Sequence, residues 1–185
     1  MSDLVPTPGQ TVGPFFGYGL PYASGPELVP ASRAGAVRLH GVVYDGAGDP
    51  VPDALIEVWQ ADPEGSVVQR EGSLRRDGFT FTGWGRAATD VRGHYEFFTM
   101  RPGARTAERP AFFALTVFAR GLLDRLFTRV YLPEDQAVLD ADPFLSAVPP
   151  VRRRTLLAVA EPAGYHFDLR LQGDGETVFL RHVRS

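Results

Sequence analysis

Apolar residues recur along the chain at strand spacing. Residues 37–45, 54–60, 94–100, 111–120, 126–132, 165–171 and 177–183 alternate apolar with polar positions or run apolar over strand lengths. Each is predicted to form a strand. Between many of them lie turn formers such as Gly46-Ala47-Gly48-Asp49-Pro50, whose Gly and Pro take backbone angles that other residues resist. This spacing suits an all-β fold, an antiparallel β-sandwich. Only two segments carry helical spacing: residues 134–140 after Pro133, and residues 150–160. In the second, Leu156, Leu157 and Val159 are expected to face inward and Arg152, Arg153 and Arg154 outward.

Length and composition fit one core. With 185 residues and 44% hydrophobic content, a single domain can bury a sizeable interior, and no composition break marks a second one. The first stretch differs in kind. Residues 3–30 are rich in Pro and Gly and carry Phe15, Phe16, Tyr18 and Tyr22, so residues 1–36 are read as an interface-forming arm and linker and residues 37–185 as the sandwich. Such an arm is worth ordering only if its aromatics are buried, each full burial stabilising by roughly 1.5–3 kcal/mol. It either folds over its own sandwich or lies on a partner subunit.

Charge and residue usage remove several chemistries. A formal net charge of −3 argues against a nucleic-acid footprint. All 19 basic residues are arginine, and without lysine there is no Schiff-base chemistry. Cysteine is absent, so disulfides, thiol nucleophiles and cysteine-held metals are excluded. The opening residues Met1-Ser2-Asp3-Leu4-Val5-Pro6 lack a basic stretch followed by an apolar one, and no run is long enough to cross a bilayer. A cytoplasmic protein without membrane contact is expected.

The polar candidates mostly have structural explanations. Of the four histidines, His40, His94, His166 and His182, no two lie at the spacing of a local ligand pair, and His40 and His166 fall mid-strand, where hydrogen-bonded structural roles dominate. Trp59 and Trp84 are read as core anchors. Glu57 shares a strand face with Leu55 and Trp59, which suits pairing with an arginine. Asp45, Asp49 and Asp53 have the spacing of a loose calcium loop, but Pro50 and Pro52 favour turn chemistry. Arg120 stands apart: it follows an apolar run and precedes Gly121, so its guanidinium is presented at a sheet end.

Several blocks, in order, carry a family resemblance. They are Thr7-Pro8-Gly9-Gln10-Thr11-Val12-Gly13-Pro14-Phe15, the stretch LHGVVYDGAGDPVPDALIEVWQAD over residues 39–62, Gly83-Trp84-Gly85-Arg86 on to Thr89-Asp90, Thr99-Met100-Arg101-Pro102-Gly103, Phe118-Ala119-Arg120-Gly121, and Tyr165-His166-Phe167-Asp168-Leu169-Arg170-Leu171-Gln172-Gly173 with Glu176-Thr177-Val178-Phe179. Together they resemble the intradiol ring-cleaving dioxygenases, non-haem iron(III) enzymes that open catechols between the two hydroxyls. In that family two tyrosinates and two imidazoles hold the metal. Here the matching positions are Val67, Arg105 after Pro102-Gly103, and Phe112 and Ala114 in Arg109-Pro110-Ala111-Phe112-Phe113-Ala114. Valine, arginine, phenylalanine and alanine supply no anionic or neutral donor to a ferric ion.

The family includes enzymes built from two homologous chains, an iron-bearing beta chain and an alpha chain whose ligand positions have decayed. Resemblance to the alpha type implies that Fe(III) is held by a homologous partner and not by this chain. It also implies that Thr11, Gly13, Pro14, Phe15 and Arg120 line a substrate pocket formed where the two chains meet. The implied substrate is an aromatic acid, protocatechuate, cleaved with O2 to 3-carboxy-cis,cis-muconate. Phe15 stands where many relatives carry tyrosine. A reading from another class rests on the first hairpin alone, which also resembles transthyretin-like and carboxypeptidase-regulatory-like binding modules.

Overall fold

Two β-sheets face each other across one apolar core in a computed structural model that describes residues 16–70, 76–106 and 109–181. In chain order the elements are α1 (Phe16–Gly19), β1 (Ala36–Tyr44), β2 (Leu55–Trp59), β3 (Trp84–Ala88), β4 (His94–Met100), β5 (Phe112–Phe118), β6 (Leu126–Tyr131), α2 (Gln136–Ala141), α3 (Pro143–Ala147), α4 (Pro150–Arg153), a 3-10 turn over Arg154–Leu156, β7 (Val159–Glu161), β8 (Gly164–His166) and β9 (Leu169–Arg170). One sheet runs β4-β1-β8-β7 with β9 also on β1; the other runs β3-β2-β5-β6.

Alternation builds the core. Along β1 the side chains of Leu39 and Val43 are buried, and along β4 those of Tyr95 and Phe97; they meet Ile56 and Val58 of β2 and Phe113, Leu115 and Val117 of β5 in one cluster. Pairing is mostly antiparallel. The exceptions are β1 with β8 and β1 with β9, which run parallel, a departure from a purely antiparallel sandwich. β8 and β9 follow the same edge of β1, where Arg38, His40 and Tyr44 bond to Ala163, Phe167 and Leu171. Between them the chain bulges over Gly41, where a β-carbon would run into the carbonyl of Phe167, and the Asp168 carboxylate accepts the Val42 N–H at 2.8 Å.

Three expectations need correction. The helix over residues 150–160 stops early: α4 gives way to the 3-10 turn, and Val159 is 61% exposed on β7 rather than facing inward. The cause is local, because the Thr155 hydroxyl donates to the Arg152 carbonyl at 2.8 Å and accepts the Val178 N–H at 3.2 Å, while the Ala158 N–H pairs with the Tyr131 carbonyl at 2.9 Å. The strand over residues 165–171 is split into β8 and β9 by the bulge at Phe167 and Asp168, where the Asp168 side chain takes the Val42 N–H. Of the strand over 177–183, residues 182 and 183 lie outside the described residues, and the rest forms a single bridge, Leu180 to Phe127.

The described end of the arm packs on its own sandwich. Leu28 and Val29 are 2% exposed, the Val29 N–H donates to the Phe98 carbonyl at 3.2 Å, and Tyr22 stacks on Trp84. Tyr18 is 83% exposed. Among the described residues no helix is long and apolar enough to cross a membrane.

Three histidines far apart in sequence form a row on the outer face of the β4-β1-β8 sheet. His40 lies 5.5 Å from His94 and 5.2 Å from His166, ring centre to ring centre. Carboxylates bracket the row: His40 Nε2 lies 2.8 Å from Glu161 Oε2 and His166 Nε2 3.0 Å from Asp168 Oδ1. Burial, then the charges of Arg38 and His40, pull the His94 pKa below the ordinary imidazole value, against the opposing charges of Glu96 and Asp90. The unfolded chain therefore takes up that proton first as pH falls below about 6.5, and stability present above that pH is lost below it. His94→Gln should make the decline in melting temperature between about pH 6.5 and 5 shallower. Melting curves across that range check it; identical slopes in both proteins would remove His94 from the account.

Candidate functional site: a cavity on the outer face of the four-stranded sheet

Trp59 of β2, Ala114 of β5 and Arg129 of β6 are cross-strand neighbours in one row. They face away from the core, so this row forms a floor on the outer surface of the four-stranded sheet, with Phe112 beside it. Two segments wall the floor. The first is the turn after β2, where Ala61 bridges Val67 and the Asp62 carboxylate accepts the Ser66 N–H at 2.7 Å. The second follows β4 and brings Gly103, Arg105, Thr106, Arg109 and Pro110. The Asp62 carbonyl joins them by accepting the N–H groups of Gly65 at 3.0 Å and Gly103 at 2.8 Å.

The cleft between them has a volume of about 460 Å³. Val67, Arg105, Phe112 and Ala114 all line it, although 47 residues separate the first from the last in sequence (114 − 67). The four positions read from sequence as lost metal ligands are thus brought together. What surrounds them is apolar and cationic. Trp59 is 50% exposed and forms part of the floor, which corrects its reading as a core anchor; Trp84 is the buried one at 7%.

Arg129, which the sequence reading passed over, is the best-held cation. Its guanidinium lies 4.5 Å from the centre of the Phe112 ring and 5.4 Å from that of Phe144, and its Nη1 donates to the Tyr131 hydroxyl at 3.1 Å. That hydroxyl donates onward to Asp142 Oδ1 at 3.1 Å. Burial pushes the Tyr131 pKa up to about 12, so the phenol keeps its proton. Asp142 is 2% exposed and caps α3, where Oδ1 also accepts from the N–H groups of Phe144 and Leu145 at 3.0 and 2.9 Å. Period-two alternation put Arg129 on the same strand face as Tyr131, which was the available signal.

A ferric ion does not fit this donor set. Among the described residues the lining offers hydrocarbon, three guanidinium groups, the Thr106 hydroxyl and the Gln60 amide, whose Oε1 already accepts from Thr99; its single carboxylate, Asp142, is occupied by one hydroxyl and two backbone N–H groups.

Arg120 lies elsewhere. It stands just past the far end of β5, eight residues and about 26 Å of extended chain from Phe112, and is absent from the cavity lining. Its Nη2 and Nε lie 2.5 and 2.7 Å from Asp53 Oδ2. The arginine side chain is 64% exposed and the aspartate 12%, and Asp53 Oδ1 is buried without a hydrogen-bond partner among the described residues. The arm ends its described course at this corner, because a β-carbon on Gly17 of α1 would lie 3.4 Å from the Asp53 carbonyl oxygen. Thr11, Gly13, Pro14 and Phe15 lie outside the described residues.

Other sequence readings meet their partners. Glu57 pairs with Arg86 at 2.6 Å, with both side chains largely buried. Asp45 Oδ1 accepts the N–H groups of Ala47 and Asp49, each at 2.9 Å, which is turn chemistry.

A family model described as "Dioxygenase" matches residues 13–173. The chain belongs to this dioxygenase family, whose intradiol ring-cleaving members its sequence blocks resemble. It is 38% identical to the protocatechuate 3,4-dioxygenase alpha chain of Burkholderia cepacia over 97% of this chain and 99% of that one. It is 34% identical to the beta chain from the same organism, over 76% of this chain and 66% of that one. Among solved structures, the dioxygenase domain of a carbohydrate-binding fusion from Streptomyces sp. SirexAA-E superposes with a TM-score of 0.60 at 26% identity, covering 91% of this chain and 99% of that one.

Proposed function

We propose that this chain is the alpha-type subunit of a cytoplasmic protocatechuate 3,4-dioxygenase, joined to a homologous beta subunit that carries the iron(III). The assembled enzyme would cleave protocatechuate with O2 between its hydroxyls to 3-carboxy-cis,cis-muconate. The observation that carries this reading is the cavity itself: all four ligand positions converge there, and none of the four offers the metal a donor. Near-full-length similarity to a named alpha chain supports the same reading.

This chain's part is recognition. Arg120 would hold the carboxylate of the aromatic acid, a charge-assisted hydrogen bond that favours it over plain catechol where water is excluded. Thr11, Gly13, Pro14 and Phe15 would wall the same pocket from the arm. Asp53 would set the direction of the Arg120 guanidinium. Phe15 brings no hydroxyl, so it can contribute shape and dryness only.

Affinity purification of the tagged chain from its native host, with mass spectrometry of what accompanies it, tests the proposal. A stoichiometric homologue carrying two tyrosines and two histidines at the ligand positions is the expected companion. Recovery of this chain as a monomer without it would favour a stand-alone sandwich module.

A further inference from the structure

We infer that the cavity over Trp59, Ala114 and Arg129 is a second, non-catalytic binding site for a planar aromatic carboxylate. The inference goes beyond the subunit reading and does not depend on it. Charge is the first argument. Among the described residues Arg105, Arg109 and Arg129 line the cavity with Asp142 as the only carboxylate. Among the described residues none of the three arginines has an ion-pair partner. Asp142, whose Oδ1 is held by Tyr131 and by the N–H groups of Phe144 and Leu145, balances one of these charges and leaves two in excess. Such an excess in a walled cleft raises the local concentration of anions.

Arg129 is pre-organised for this task. Of its five N–H donors, one is satisfied by the Tyr131 hydroxyl, and no other protein acceptor is found among the described residues. Its planar face is held over Phe112, so its edge remains to meet a carboxylate in a two-point fork.

Shape decides the rest of the ligand. Trp59, Val67, Val68, Pro110, Phe112 and Ala114 present hydrocarbon around the cations, which suits a flat apolar body with one anionic end. The volume of about 460 Å³ falls within the range of small-molecule sites, roughly 300–1,000 Å³. Ala114 leaves the middle of the floor open. No part of the lining demands a catechol diol, since there is no metal donor set for one to meet.

Titration calorimetry with benzoate, a ring acid without hydroxyls, tests the inference on the purified full chain in the assembly in which it is isolated. One benzoate per copy of this chain is expected, in addition to any bound by a partner's iron centre. Arg129→Met should weaken that class of site by about 10- to 100-fold, the loss of a hydrogen bond to a charged group. Ala114→Leu, which fills the floor and leaves every arginine in place, should weaken it likewise, so the result does not rest on one variant folding. Adipate, a flexible dicarboxylate like a ring-opened product, should bind at least tenfold more weakly than benzoate. Isotherms that both variants leave unchanged, or the absence of this class of site, would overturn the assignment; adipate binding more tightly than benzoate would overturn its aromatic part. Loss of ring cleavage with this site intact would count against the subunit reading alone.

Discussion

Arg120→Ala in the assembled enzyme should raise the KM for protocatechuate by about 10- to 100-fold and leave its iron content unchanged. The magnitude is that of one charge-assisted hydrogen bond to a carboxylate, about 1.5–3 kcal/mol. In this chain alone the Arg120 side chain is 64% exposed, where such a contact is worth little; the full effect requires burial against a partner. Asp53 sharpens the expectation. Its Oδ2 receives both Nη2 and Nε of Arg120, and its Oδ1 is buried without a partner among the described residues. Asp53→Asn keeps the shape and removes the charge that aims the guanidinium, so its KM should fall between those of the parent and Arg120→Ala. Catechol, without a carboxylate, should lose little in either variant. Steady-state kinetics with both substrates checks the set; an unchanged KM for protocatechuate in Arg120→Ala would take that residue out of the pocket.

Gly103→Ala should cost about 1–3 kcal/mol of stability or more. Its β-carbon would run into the carbonyl oxygen of Pro63 and the backbone nitrogen of Gly65, and neither is the free end of a flexible side chain. The two segments that wall the cavity are joined at this spot through the Asp62 carbonyl, which accepts from both Gly65 and Gly103. Gly65→Ala is worse placed, since φ is +84° and its β-carbon would run into the Ala104 carbonyl. Left-handed backbone adds roughly 1–2 kcal/mol for a residue with a side chain. Chemical denaturation of both variants measures the loss. Full stability in Gly103→Ala would show that the wall segments move independently. In that case benzoate affinity should also be unaffected.

The sandwich was legible where burial alternates cleanly. Residues 94–100 show apolar and polar positions in turn and form β4 over that same span. Residues 84–88, Trp-Gly-Arg-Ala-Ala, lack the β-branched residues of a strand signal, and β3 forms there because β2 pairs with it from Leu55 to Trp59. Val67, Arg105, Phe112 and Ala114 were singled out one by one through the family blocks, but their meeting in one cavity is a tertiary fact. So is the histidine row, whose members reach one another only through the pairing of β1 with β4 and β8. The cap of α3 had a local signal that went unread, Asp142 followed by Pro143.

Metal analysis of the chain purified without any companion, compared with its co-purified complex, bears most directly on the claim that the ferric centre belongs to another polypeptide. The account predicts no stoichiometric iron and no visible tyrosinate-to-iron absorption band in the lone chain, and about one iron per pair of chains in the complex. One iron per lone chain, accompanied by that band, would contradict it.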